Sequence, residues 1–196
     1  PTKYRSHPAI YVKYQSENEY SFLFDCGEGT QRQIFASGLN FMRFEHIFIT
    51  HWHADHFAGL LGLFETMSLE KRTKPLYIYG PNATEFVEKI THLGYSVKKF
   101  KIIPVDVPHT GTKQTILLDE DEFQITSVPV SHGIPAVSYS FIEKDRVKID
   151  KKKAESLGLP QKGKIFKELK ENGFTEFDNK KIKIEDVSFS EPGKKI

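Results

Sequence analysis

Hydrophobic and polar positions along this 196-residue chain fall into short blocks with two different periods. Residues 10–14 (IYVKY) and 20–24 (YSFLF) are β-branched and aromatic runs joined by the polar QSENE, a pattern that predicts a hairpin. DCGEGTQRQIF then reads as a loop feeding a short helix, with Thr30 placed to act as its N-cap. HIFIT (46–50) has no polar alternation, as expected of a strand covered on both faces. Residues 57–69 (FAGLLGLFETMSL) predict a largely apolar helix and LYIYG (76–80) another strand. A further helix is expected from Pro81 to Gly94. After residue 100 the blocks KIIPV, TILL, FQITSVPV and AVSYSFIE read as successive strands. Strand, loop, helix and strand followed by a run of strands predict an α+β fold in which sheets are layered with helices.

From Asp145 the texture changes. DRVKIDKKKAESLGLPQKGKIFKELKENGF has few large apolar residues outside IFKEL and predicts two short helices around a Gly-Leu-Pro turn. Such a segment is either a solvated, charged helical surface or an arm that meets a polyanion. The chain is accordingly divided into a core, residues 1–144, and a basic segment, residues 145–196. No internal repeat or low-complexity tract is evident.

Charge sharpens that division. The formal net charge is only +2, from 28 Lys+Arg against 26 Asp+Glu. Residues 1–144 hold 14 basic and 16 acidic residues, whereas residues 145–196 hold 14 and 10. All eight histidines lie at or before residue 132, so metal-type chemistry belongs to the first part and a basic surface to the second. Sixteen Phe and eight Tyr are enough for a real core. No apolar run approaches the roughly 18–20 residues of a membrane span. One cysteine excludes a disulfide framework and a Cys-based zinc cluster, and fits a reducing, cytoplasmic setting. The opening PTKYRSHPAI carries no signal-peptide pattern and reads as the continuation of something longer, so residues are expected before Pro1.

The segment with the densest chemistry is THWHADHFAGLLGL, residues 50–63. It leaves a buried strand and enters a helix, where sheet proteins place their active sites. The i, i+2 spacing of His51 and His53 lets two extended residues present their imidazoles to one ion. Asp55 and His56 follow as the chain turns into the helix and can face a second ion. Imidazole and carboxylate without thiolate suit Zn²⁺, with Mn²⁺ or Fe as the other occupants. Two ions roughly 3.5–4 Å apart would hold a hydroxide between them and clamp a phosphodiester. A further ligand is expected downstream, and His132 is the best candidate, at the end of an apolar strand and before a glycine. Asp25 ends a strand and is placed either to orient a ligand histidine or to cap the helix that follows. Cys26 reads as a small packed residue rather than a nucleophile. His46, His92 and His109 read as structural or surface histidines, and His7 as a residue near substrate or in the basic opening segment.

The hexapeptide HWHADH resembles the His-x-His-x-Asp-His signature of the metallo-β-lactamase superfamily. Within it, PTKYRSHPA, FDCGEGTQRQ (24–33) and THWHADHFAGLLGL are similar to ribonuclease Z, the tRNA 3′-processing endoribonuclease family, and SHGIPAVSYSF (131–141) matches the segment carrying that family's next metal ligand. The similarity covers essentially the whole chain. It implies a four-layer αββα metallo-β-lactamase fold with a projecting helical arm, and two zinc ions per subunit. His51, His53 and His132 would hold one ion, Asp55 and His56 the other, and Asp55 is also the implied general base. The implied reaction is metal-activated hydroxide attack that removes the 3′ trailer from precursor tRNA and leaves a 3′ hydroxyl on the tRNA. The implied partners are precursor tRNA and a second copy in a homodimer.

By the same resemblance, Lys3 and Arg5 fall in a loop near the 3′ end of the substrate, with Ser6 where the family motif has Asn. Residues 145–196 resemble the family's flexible arm and its return to the core. Lys151, Lys152, Lys153, Gly158, Pro160, Lys162 and Lys164 are the implied RNA contacts, although Lys162-Gly163-Lys164 replaces the family's Gly-Pro continuation. The family's bridging Asp, its remaining metal-binding His and its leaving-group His are expected beyond Ile196. Two other readings stand beside this one: a hydrolase of small esters or thioesters from the same superfamily, and a non-catalytic RNA-binding piece.

Overall fold

Alternating side chains build the first sheet. The computed structural model describes residues 5–16, 18–95, 98–160, 163–178 and 180–196. Strands β1 (Ile10–Gln15) and β2 (Glu19–Phe24) form the expected antiparallel hairpin. Helix α1 (Thr30–Ala36) leads to β3 (His46–Phe48), and the single turn α2 (Ala54–Phe57) runs into α3 (Gly59–Leu69). Strand β4 (Leu76–Gly80), helix α4 (Ala83–Thr91) and β5 (Ile102–Asp106) complete a five-stranded sheet in the order β1-β2-β3-β4-β5. From β2 to β5 every neighbouring pair is parallel, so β2, β3 and β4 end on the same edge.

Register decides what each face meets. Leu23, Ile47 and Ile78 sit side by side across β2, β3 and β4. They belong to the core formed with Ile34 of α1, Leu60, Leu63, Phe64 and Met67 of α3, and Ala83 and Val87 of α4. The intervening residues point to the other face because successive side chains alternate. There Phe22, Phe24, His46, Phe48, Tyr77 and Tyr79 form an aromatic layer. Strands β6 (Thr115–Asp119), β7 (Phe123–Pro129) and β8 (Val137–Glu143) form a second sheet in that order. Tyr139 of β8 packs its ring on Phe24 and Phe48 and donates its hydroxyl to the Ile49 carbonyl at 2.9 Å. Helices, sheet and second-sheet strand thus follow one another in the order expected of the first three layers.

The chain divides into two compact units. One holds the described residues up to Leu118 together with Ile125–Ser140; the other holds Asp119–Gln124 and Phe141–Ile196. The second unit contains β9 (Arg146–Ile149), α5 (Lys151–Ser156), α6 (Lys164–Asn172), β10 (Phe174–Phe177), β11 (Lys180–Lys183), a 3₁₀ turn at Ile184–Asp186 and β12 (Ser188–Glu191). The two helices match the sequence expectation, but the four strands do not. β10 pairs with β11 and β12 with β9, both antiparallel. Each is four residues long, too short for alternation to stand out. Buried Ala154, Leu159, Leu169, Ile182 and Val187 nevertheless give this unit a small core of its own.

Two helix starts also differ from expectation. Gly29, at φ 81°, occupies the N-cap of α1. Thr30 is the first helical residue instead, and its hydroxyl donates back to the Gly27 carbonyl at 2.7 Å. Helix α4 begins at Ala83 rather than Pro81, because Asn82 takes a left-handed conformation at φ 51°.

Phe64 is fully buried in the core between α3 and the first sheet. Phe64→Ala is expected to cost about 3–5 kcal/mol, read as a fall in the denaturation midpoint at unchanged slope.

Candidate metal centre

The parallel strands deliver their last residues to one edge, and Asp25 is the first of them. Its backbone N–H continues the ladder to the Phe48 carbonyl at 2.8 Å, and its φ of 57° then turns the chain away. The side chain is left buried, where it must find partners. It accepts from the Thr50 amide at 2.8 Å, from the Thr50 hydroxyl at 3.0 Å to each oxygen, and from His56 Nδ1 at 2.7 Å. Burial pushes the Asp25 carboxyl up, and the Thr50 amide and His56 act against it.

These contacts assign two tautomers. A carboxylate only accepts, so His56 carries its proton on Nδ1 and keeps the Nε2 lone pair for another partner. The Thr50 hydroxyl donates to Asp25, which leaves its lone pairs for His51 Nδ1 at 3.0 Å. His51 therefore also presents Nε2. The 9% exposed His51 is pushed down to about 4, first by burial and then by the neighbouring His56, His132 and His53 rings. At neutral pH it is the uncharged imidazole that metal coordination requires.

Three rings then converge. His51, His53 and His132 each offer a donor atom within 4.8 Å of the others. His132 Nε2 lies 3.3 Å from His53 Nδ1. Nitrogens about 2.05 Å from a tetrahedral centre stand about 3.3 Å apart, so this spacing suits a shared ion. Asp55 and His56, both on α2, form an adjoining pair, with His56 Nε2 3.8 Å from Asp55 Oδ2. The His51 and His56 ring centres are 4.0 Å apart. The structure thus brings together all six residues singled out around the motif: Asp25, His51, His53, Asp55, His56 and His132. Nitrogen and carboxylate donors without thiolate fit a borderline divalent ion such as zinc.

Close backbone contact locks the turn after β2 onto the turn after β3. The Cys26 amide donates to the His56 carbonyl at 2.7 Å, and the Gly59 amide to the Cys26 carbonyl at 2.9 Å. A Cβ on Gly27 would overlap the Asp55 carbonyl and the His7 Cβ, and one on Gly59 would overlap the Gly27 carbonyl. Cys26 itself is fully buried and its thiol is pushed up to about 12 by burial, in keeping with a packed residue. His7 lies half-buried against this turn, with Nε2 3.9 Å from Glu28.

The remaining histidines take other partners. His46 pairs with the Tyr79 hydroxyl at 3.2 Å and stacks on Tyr77. His92 Nδ1 donates to the Glu88 carbonyl at 2.8 Å, and His109 Nε2 lies 3.2 Å from Asn82 Oδ1. In the second unit Lys151, Lys152 and Lys153 are exposed on α5, whose N-cap Asp150 accepts from the Lys152 and Lys153 amides. Gly158 turns left-handed at φ 76°, Pro160 is exposed after it, and Lys164 is exposed at the start of α6. Arg5 is exposed, while Lys3 and Lys162 lie outside the described residues. Sequence reasoning passed over Thr50. The signal for it was a hydroxyl residue at the end of a buried strand, directly before the first ligand-type histidine.

Comparison with known proteins places this geometry among relatives. A family model described as Anti-Pycsar protein Apyc1 matches residues 12–150. A ribonuclease Z of Methanococcus maripaludis strain C6 is 39% identical over 190 residues, covering 96% of this chain and 59% of that protein. A ribonuclease Z of Thermococcus sibiricus is 42% identical over 198 residues, covering 100% of this chain and 61% of that protein. The chain therefore spans about three-fifths of the length of the curated relatives it matches. The crystal structure of human tRNase Z, short form, superposes with a TM-score of 0.64 at 32% identity, over 74% of this chain and 60% of that one. A metallo-β-lactamase fold protein of Bacillus subtilis superposes at 0.50 and 22% identity, over 74% of this chain and 52% of that one, a likeness of fold alone.

Thr50 ties His51 and His56 to one carboxylate. Thr50→Val is expected to lower zinc affinity about 10–100-fold in competition with a chromophoric chelator, and Thr50→Ser to restore it.

Proposed function

This chain belongs to the family described by the Anti-Pycsar protein Apyc1 model and is a relative of ribonuclease Z within the metallo-β-lactamase fold, and from that premise we propose that the whole protein is a metal-dependent endoribonuclease removing the 3′ trailer from precursor tRNA. The observation that carries the proposal is the convergence of His51, His53 and His132 with Asp55 and His56 beside them, at the edge where the parallel strands end. In this reading the three histidines hold one zinc ion and the Asp55–His56 pair helps to hold a second. A divalent ion bound there supplies Lewis-acid polarisation of the phosphate and a lowered pKa for water.

The chain's own groups do the rest. Asp25 and Thr50 hold His51 and His56 with Nε2 outward. The Asp55 side chain is half exposed and open to solvent, and in this reading it accepts a proton from the attacking water. The water oxygen bonds to phosphorus, the bond from phosphorus to the tRNA 3′ oxygen breaks, and that oxygen takes up a proton. His53 and His132 are exposed, which leaves the centre accessible to a large substrate. The exposed Lys151, Lys152, Lys153 and Lys164, together with Arg5, supply phosphate contacts in this reading, and the protein acts as a cytoplasmic homodimer.

Two measurements on the full-length protein test this. His53→Ala is expected to reduce precursor tRNA cleavage to the detection limit; cleavage near the wild-type rate would remove His53 from the centre. Replacing Lys151, Lys152 and Lys153 together by Ala is expected to raise KM for precursor tRNA with little change in kcat. It should also lower the slope of log affinity against log salt by about 0.9 for each phosphate that is no longer neutralised.

A further inference from the structure

A recess of about 320 Å³ adjoins His53 and is not used by the donor set. Its surface includes Trp52 and Phe86, whose rings stack at 4.7 Å with an interplanar angle of 6°. The indole is held in place by its Nε1–H, which donates to the Pro81 carbonyl. Ile134 and Pro135, on the segment that follows His132, add further apolar surface. Two polar side chains complete the lining. Asn82 accepts from His109 Nε2 through Oδ1, which leaves its amide N–H₂ as a donor. Glu85 pairs with Lys89 through Oε1, which leaves Oε2 as an acceptor.

This chemistry restricts the occupant. Neither Lys nor Arg lines the recess, and the lining acid Glu85 is paired with Lys89, so nothing in the lining selects a phosphate. A purely aliphatic group would make no use of the Asn82 amide N–H₂ or of Glu85 Oε2. A planar ring with both a donor and an acceptor on its edge satisfies apolar surface and polar groups together. The volume lies at the small end of ligand sites, enough for one base with part of its sugar. The His53 ring is shared between the recess and the donor cluster, since its Nδ1 faces His132. A group bound here is therefore a close neighbour of whatever the cluster engages.

We propose that this recess binds the nucleobase of a nucleotide adjoining the scissile phosphate, with apolar contact from Trp52, Phe86, Ile134 and Pro135 and edge hydrogen bonds from Asn82 and Glu85. The proposal rests on the phosphodiesterase reading above and adds a subsite to it. Every nucleobase carries both a donor and an acceptor, so the subsite is tolerant of sequence.

Two experiments test it. In the full-length protein, precursor tRNAs made abasic at either nucleotide flanking the scissile bond are compared with the intact substrate. Removing the base at one of the two positions is expected to lower kcat/KM about tenfold. The variant Asn82→Gly with Glu85→Ala keeps the left-handed turn at residue 82 and the apolar surface. It is expected to lose about tenfold on the intact substrate and to match wild type within about twofold on the sensitive abasic one. Equal losses on both substrates, or no effect of either abasic position, would overturn the subsite.

The second readout needs no catalysis. Trp52 is the only tryptophan of these 196 residues. The fluorescence change that disappears in Trp52→Phe is followed on titration with adenosine and with ribose. A saturable change with adenosine and none with ribose supports base binding; the same response to both, or none to either, refutes it. A protein that cleaves no precursor tRNA yet shows the adenosine response would fail the nuclease reading and keep the subsite.

Discussion

A buried carboxylate has to be satisfied, and among the described residues three groups do so around Asp25. Thr50 gives its amide and its hydroxyl, and His56 gives Nδ1–H. An acid in that position without those partners would carry the full cost of desolvation, which the upward push on its pKa reflects. The turn after β2 and the loop after β3 are therefore held against each other by chemistry as well as by packing. The backbone bonds from Cys26 to His56 and from Gly59 to Cys26 close the same seam. Nothing larger than glycine fits at positions 27 and 59, so the two segments meet main chain to main chain.

The sheet makes that seam possible. Parallel β2, β3 and β4 finish on one edge, and their register puts Leu23, Ile47 and Ile78 into the helical core while the aromatic residues between them face the other way. Burial on both faces leaves the strands no freedom to slip by one residue. The loops at their ends inherit that fixed spacing. Val137 extends the arrangement, since its amide donates to the Thr50 carbonyl at 3.0 Å and so anchors the strand that follows His132.

Much of this is visible in the residues themselves. Four ligand-type side chains within six positions after an apolar strand mark the centre locally, and the second histidine-bearing loop is marked by the same strand-then-histidine pattern at His132. The hairpin, the parallel strands and α3 follow from block composition. Less visible are features whose cause lies far away in the chain. The Thr50 hydroxyl matters because of an acid 25 positions earlier, and the Asn82 turn because its amide meets His109. The strands of the second unit are hidden differently. Their buried residues stand singly, Thr175 between Phe174 and Glu176 and Ile182 between two lysines, and pairing across β10 and β11 sets the two opposite each other.

The Thr50–Asp25 pair has one more consequence. His51 belongs to the three-ring set and His56 to the carboxylate pair, yet both meet the Thr50 hydroxyl, which with His56 is held by Asp25. The two sets of side chains consequently share a scaffold. A change at this one threonine side chain would therefore turn both rings together rather than one at a time.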